Sequence, residues 1–142
     1  MGCDIHLHIE VKIEGEWHHF GRPRISRNYW LFATIAGVRN YEKVAPITEP
    51  KGLPEDVTRI TAEYYKIWEG DAHTASWLGP SEINALRERL KARPAEEWPG
   101  TDLEYGILNT YIPENPLCVA AGEDADDSFP AEDLRLVFWF DN

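Results

Sequence analysis

The sequence predicts an α+β domain: a small, mainly antiparallel sheet that contains the first and last strands and is packed with about three helices. Three observations carry this. From Cys3 to Ile13 apolar and ionisable residues alternate almost without a break, the period of a strand with one face in a core. Between residues 28 and 91 apolar residues recur three and four apart in separate stretches, the period of amphipathic helices. Near the end, Leu134 to Phe140 is a nearly continuous run of aliphatic and aromatic residues, the pattern of a buried strand.

The elements follow in order. The first strand covers about Cys3 to Ile13. Glu14-Gly15-Glu16 is a turn signal, and Trp17 to Phe20 can return as a short antiparallel strand. Gly21-Arg22-Pro23-Arg24 stops it. A helix is expected from Asn28 to Gly37, with Ser26 or Asn28 as the cap and Leu31, Phe32, Ile35 and Ala36 as its apolar stripe. Residues 38–53 hold Pro46, Pro50 and Gly52 and read as loop. Pro54 suits a first helical position, and Glu55 and Asp56 suit the positive end of a helix dipole. A second helix is therefore expected from Pro54 to Gly70, burying Val57, Ile60, Tyr64, Ile67 and Trp68.

Asp71 to Leu78 reads as a strand or extended connection. Gly79-Pro80-Ser81 opens a third helix through about Lys91, with Ile83, Leu86 and Leu90 inward. Pro94 to Gly100 breaks it, 101–112 is ambiguous, and 113–130 reads as a surface loop. No repeat and no linker divides the chain, so residues 1–142 are expected to form a single domain with one core.

A formal net charge of −11 disfavours stable binding to duplex nucleic acid or to an anionic membrane surface. A small anionic ligand needs only a local basic pocket. The apolar fraction of 43% argues for a folded chain. Cys3 and Cys118 have no metal-like or redox spacing, and no apolar stretch reads as a signal peptide or a membrane span. The cytoplasm is the expected compartment. Met1-Gly2-Cys3 hints at myristoylation, but that motif wants Ser or Thr where His6 stands.

The wet face of the first strand carries Asp4, His6, His8, Glu10 and Lys12. Neighbours on one strand face are roughly 6–7 Å apart, so His6 and His8 can reach one ion, whereas Asp4 and Glu10, about 20 Å apart, cannot both join them. One flank would serve as base or would orient a histidine. A divalent ion such as Zn²⁺ or Mn²⁺ needs further ligands, and Asp71-Ala72-His73 is the obvious second source. The expected metal ligands are thus His6, His8, Asp71 and His73, with Asp4, Glu10 and His73 as candidate catalytic groups. Without a metal, two histidines can act as general acid and base on a phosphodiester. Arg22, Arg24 and Arg27 precede the first helix and could hold a phosphate or carboxylate, and Trp77 could stack on a ring. Against these stand plainer readings: a solvated strand face, arginines paired with nearby acids, and core tryptophans. If the last strand pairs with the first, Arg135, Trp139 and Asp141 flank the histidines. One of His18 and His19 could point to the same face.

Asp4-Ile5-His6-Leu7-His8 resembles the D-x-H-x-H motif of amidohydrolases and of the polymerase-and-histidinol-phosphatase domain, and this implies metal-assisted hydrolysis. Across most of its length, at MGCDIHLHIE, LFATIAGVRN, GLPEDV, GDAHTASWL and LRLVFWFDN, the chain resembles a family of small bacteriophage and prophage proteins. That resemblance implies a host-cell setting and no mechanism. The sequence reading is a metal-dependent hydrolase, a phosphoesterase acting on a nucleotide or nucleic-acid phosphoester. The alternatives are a non-catalytic phage protein that sequesters a signalling nucleotide or blocks a host protein, and a phage assembly accessory protein. A homo-oligomer is compatible with each.

Overall fold

A computed structural model describes residues 2–93 and 133–142; the expectations for residues 94–132, Cys118 among them, lie outside the described residues. The described elements are β1 (Asp4–Ile13), β2 (Glu16–Gly21), α1 (Tyr29–Ala36), α2 (Arg59–Ile67), β3 (His73–Leu78), α3 (Pro80–Lys91) and β4 (Asp133–Asp141). They form an α+β fold with a four-stranded antiparallel sheet in the order β2-β1-β4-β3. The first and last strands lie side by side at its centre. Their register runs from Asp4 opposite Asp141 to Lys12 opposite Asp133.

Each end of β1 has a local cause. The β1–β2 turn places Glu14 at φ 52° and Gly15 at φ 79°, the paired left-handed conformation that lets a two-residue hairpin follow strand twist. Pairing of β2 with β1 stops at Ile9 opposite Gly21, after an irregularity between Ile9 and Glu10. The amino-terminal half of β1 is therefore flanked by the segment 22–25 instead of by β2.

One sheet face is apolar. Ile5, Leu7, Ile9 and Val11 of β1 and Leu134, Leu136, Phe138 and Phe140 of β4 join Leu31, Phe32 and Ile35 of α1 and Ile83, Leu86 and Leu90 of α3 in one buried cluster. Helix α1 begins where Asn28 Oδ1 accepts the Leu31 N–H at 2.9 Å, and ends where Gly37 turns left-handed at φ 71°. Helix α3 begins at Pro80, with the Glu82 carboxylate accepting the Gly79 N–H at 3.0 Å.

The other face is covered by α2, and here the sequence reading needs two corrections. The helix begins at Arg59, not Pro54; Pro54 to Val57 forms a turn, and Thr58 is the cap. Its inward face is not Ile60 and Ile67, which are 51% and 73% exposed, but Thr61, which is fully buried, with Tyr64, Tyr65 and Trp68 against the sheet. The cause is the surface beneath: α2 lies on imidazoles, a carboxylate and an indole, which hydroxyls and aromatic rings match better than isoleucine does. No helix of the described residues is long and apolar enough to cross a membrane.

Candidate functional site

The polar face of β1 divides into three parts. At its far end Glu10 is fully buried, yet every oxygen is satisfied. Its Oε2 accepts the Thr58 N–H at 3.1 Å, the Thr58 hydroxyl at 2.5 Å and the Thr61 hydroxyl at 2.7 Å. Its Oε1 pairs with the buried Arg135 guanidinium, Nε at 2.8 Å and Nη2 at 2.7 Å. Arg135 continues to the Asp56 carboxylate at 2.7 Å and to the Asp56 carbonyl. Its hydrogen bond holds the Asp56 carboxyl below the usual range. Glu10 thus fixes the start of α2 from 48 residues away, and the geometry gives it a structural role in place of a catalytic one.

In the middle, His8 is fully buried beneath Tyr64 and stacked on Trp139, with ring centroids 5.2 and 5.1 Å away. Its Nδ1 and His19 Nε2 share a 2.9 Å hydrogen bond, so His19 is the second-strand histidine that reaches this face. Burial, with the neighbouring His19 and Arg22, lowers the His8 pKa from 6.5 to about 3, and burial also lowers that of His19. His8 is therefore neutral at physiological pH.

The near end is open. His6 Nε2 contacts Asp141 Oδ2 at 2.5 Å, and its ring lies against Trp68 and Trp139. A carboxylate accepts, so the Nε2–H donates to Asp141. Among the described residues His6 Nδ1 makes no hydrogen bond. His6 lines a cavity of about 280 Å³ together with Ile5, Leu7, Arg22, Pro23, Arg24 and Ile25. Arg22 also lies over the Tyr64 ring, 4.3 Å from its centroid.

Several expected partners lie elsewhere. Arg27 is bound to Asp4 Oδ1 through Nε at 3.1 Å and Nη2 at 3.0 Å, on the surface. Trp77 lines a different cavity, of about 720 Å³, with Trp17, Lys12, Lys51, Asp56 and Arg135. Its ring is already covered by Lys51, whose Nζ is 3.7 Å from the centroid. Asp71 is exposed in the turn after α2.

His73 pairs with Phe140 and stacks on it, so it belongs to the apolar face, opposite His6 and His8. The cause is an irregularity between His73 and Ser76 in β3, where Thr74 is left-handed at φ 56°. One extra residue turns a strand's side chains to the opposite face. His73 bonds to Thr74 and Asn142 instead. The four expected metal ligands therefore do not converge. Among the described residues no group of three His, Cys, Asp or Glu side chains is placed to hold an ion.

Asp141, expected beside the histidines if the last strand pairs with the first, reaches His6 through that β1–β4 register. Cys3 is buried on the apolar face, and burial pushes its thiol pKa up, as expected of an inert core residue. No family model, curated protein or solved structure matches the chain, and the site is read from its own geometry.

Proposed function

We propose that the chain binds the phosphate of a nucleotide or nucleic-acid phosphoester in the His6–Arg22–Arg24 cavity and hydrolyses it with His6 as the acid–base group. The observation that carries this reading is that His6, paired with Asp141, lines one cavity with Arg22 and Arg24. Asp141 fixes the tautomer, and Nδ1 takes the proton of an attacking water. The new P–O bond forms as the ester P–O bond breaks. The protonated ring, stabilised by Asp141, returns its proton to the leaving oxygen. The arginines offset the charge that develops on the non-bridging oxygens. The setting is the cytoplasm of a phage-infected host.

This reading needs no metal ion; a Zn²⁺ or Mn²⁺ site would need ligands beyond His6 and His8 other than Asp71 and His73, which lie elsewhere. A second reading, a binder without turnover, is favoured by one observation: the flanking carboxylates Asp4 and Glu10 are already engaged by Arg27 and Arg135.

The test is hydrolysis of bis(p-nitrophenyl) phosphate and of a dinucleotide, with and without chelator, beside calorimetric titration of both. The proposal expects turnover that survives chelation and falls by about 10²-fold or more in His6→Ala. Tight binding without turnover, lost in Arg22→Ala/Arg24→Ala, selects the binder. Turnover abolished by chelation restores the metal (Zn²⁺ or Mn²⁺). Neither binding nor turnover rejects the site.

A further inference from the structure

Two arginines line the His6 cavity, and the fold holds them differently. Gly21 ends β2, and Arg22 stands directly before Pro23. A residue before proline is confined to extended backbone, and the proline ring fixes the next φ. The Arg22 side chain is held as well. Its guanidinium carbon lies 4.3 Å from the centroid of the Tyr64 ring. Tyr64 in turn packs against His8, with ring centroids 5.2 Å apart, and His8 is fully buried and stacked on Trp139. The arginine thus rests on a ring that is itself supported from the sheet. Its charge adds to burial in lowering the pKa of both His8 and His19, which agrees with a place close to that pair. Arg24 has no ring or carboxylate partner among the described residues.

We infer that Tyr64 is a positioning residue for the phosphate site: the stack of His8, Tyr64 and Arg22 sets the Arg22 guanidinium where the phosphate of a nucleotide or nucleic-acid phosphoester binds. This inference rests on the phosphoester reading of the His6 cavity. The effect is entropic. An arginine side chain has many rotamers, and immobilising one on binding weakens affinity. A guanidinium already lying on an aromatic face has lost much of that freedom. Arg22 has no carboxylate partner among the described residues, so its N–H fork stays available to phosphate oxygens. Tyr64 therefore adds to affinity without touching the ligand, and buried His8 supports the ring that does so.

The test is calorimetric titration of the full chain with bis(p-nitrophenyl) phosphate. Tyr64→Phe keeps the ring and is expected to bind within about twofold of wild type. Tyr64→Leu removes the ring and is expected to raise Kd about fivefold. In an Arg22→Ala background Tyr64→Leu is expected to raise Kd no further, because the ring then has nothing to hold. A ring needed only for folding would weaken both backgrounds alike. In ¹H–¹⁵N NMR of the ligand-free wild type, the Arg22 Nε–H resonance is expected upfield of that of Arg24 through the Tyr64 ring current. An Arg22 resonance without that shift overturns the inference. So does a wild-type Kd in Tyr64→Leu, or an equal loss from Tyr64→Leu in the two backgrounds; in each of these cases wild type still binds and the phosphoester reading stands. A wild type that binds no phosphoester rejects that reading, and the role of Tyr64 falls with it.

Discussion

The two faces of the central strand pair solve the same problem in different ways. On one, Ile5, Leu7, Ile9, Phe138 and Phe140 exclude water and need only fit each other and the two helices above them. On the other, His8, Glu10 and Arg135 are just as deeply buried and each has a polar partner, while among the described residues His8 Nε2 and the Trp139 indole nitrogen have none. Burial there is tolerable because two threonine hydroxyls, a backbone N–H and a guanidinium converge on one carboxylate. The apolar face tolerates substitution by size. The polar face does not tolerate the loss of one member.

The largest expected effect breaks that contrast on the polar side. Glu10→Ala leaves the Arg135 charge buried without its main partner and removes the anchor of the α2 cap. The expected loss is about 3–5 kcal/mol by urea denaturation. Replacing both, Glu10→Leu with Arg135→Met, is expected to be much milder, because it leaves no orphaned charge. On the apolar side Leu86→Ala is expected to lose about 2–5 kcal/mol, by transfer and cavity formation, and no second substitution near it should rescue in the same way.

A smaller, pH-dependent effect comes from His8. Its pKa is depressed from 6.5 to about 3 in the fold, so below pH 6.5 the unfolded chain binds a proton that the folded chain does not. Stability therefore rises with pH between about 3 and 6.5 and falls on acidification, by about 1.4 kcal/mol per pH unit from this group well inside that window. His8→Phe removes the acid-binding group. Its unfolding free energy, followed from pH 7 to pH 4, should fall less steeply than that of wild type; an unchanged slope contradicts the burial account. The smallest effect is expected at His73. Since it faces away from His6, His73→Gln should leave phosphoester binding and turnover within about twofold and stability within about 0.5 kcal/mol. A large loss of activity would return it to the site.

The legible parts of the fold were those set by local period. Alternation in β1 and β4 fixed which residues share a face, and Asn28 and Gly37 marked the ends of α1. The start of α2 was misread because Pro54-Glu55-Asp56 carries every local start signal. The true cap is chosen by Glu10 from the sheet below. Its buried face was misread for a related reason: hydrophobic periodicity assumes an apolar partner, and this partner is polar. His73 was misplaced because a single irregular residue in β3 reverses the facing of a strand, and Thr74 gives no sign of it in sequence. His6, Arg22 and Arg24, singled out from residue type and spacing, line one cavity. Asp141 required knowledge of the β1–β4 register.

The central claim is that the polar face holds one ligand-responsive histidine beside one that is structural. The most direct measurement is the imidazole ¹H–¹⁵N NMR spectrum during titration with a dinucleotide. The account predicts that His6 resonances move with ligand while those of His8 stay fixed as a neutral ring. Movement confined to His8, or no movement at His6 under saturating ligand, would contradict it.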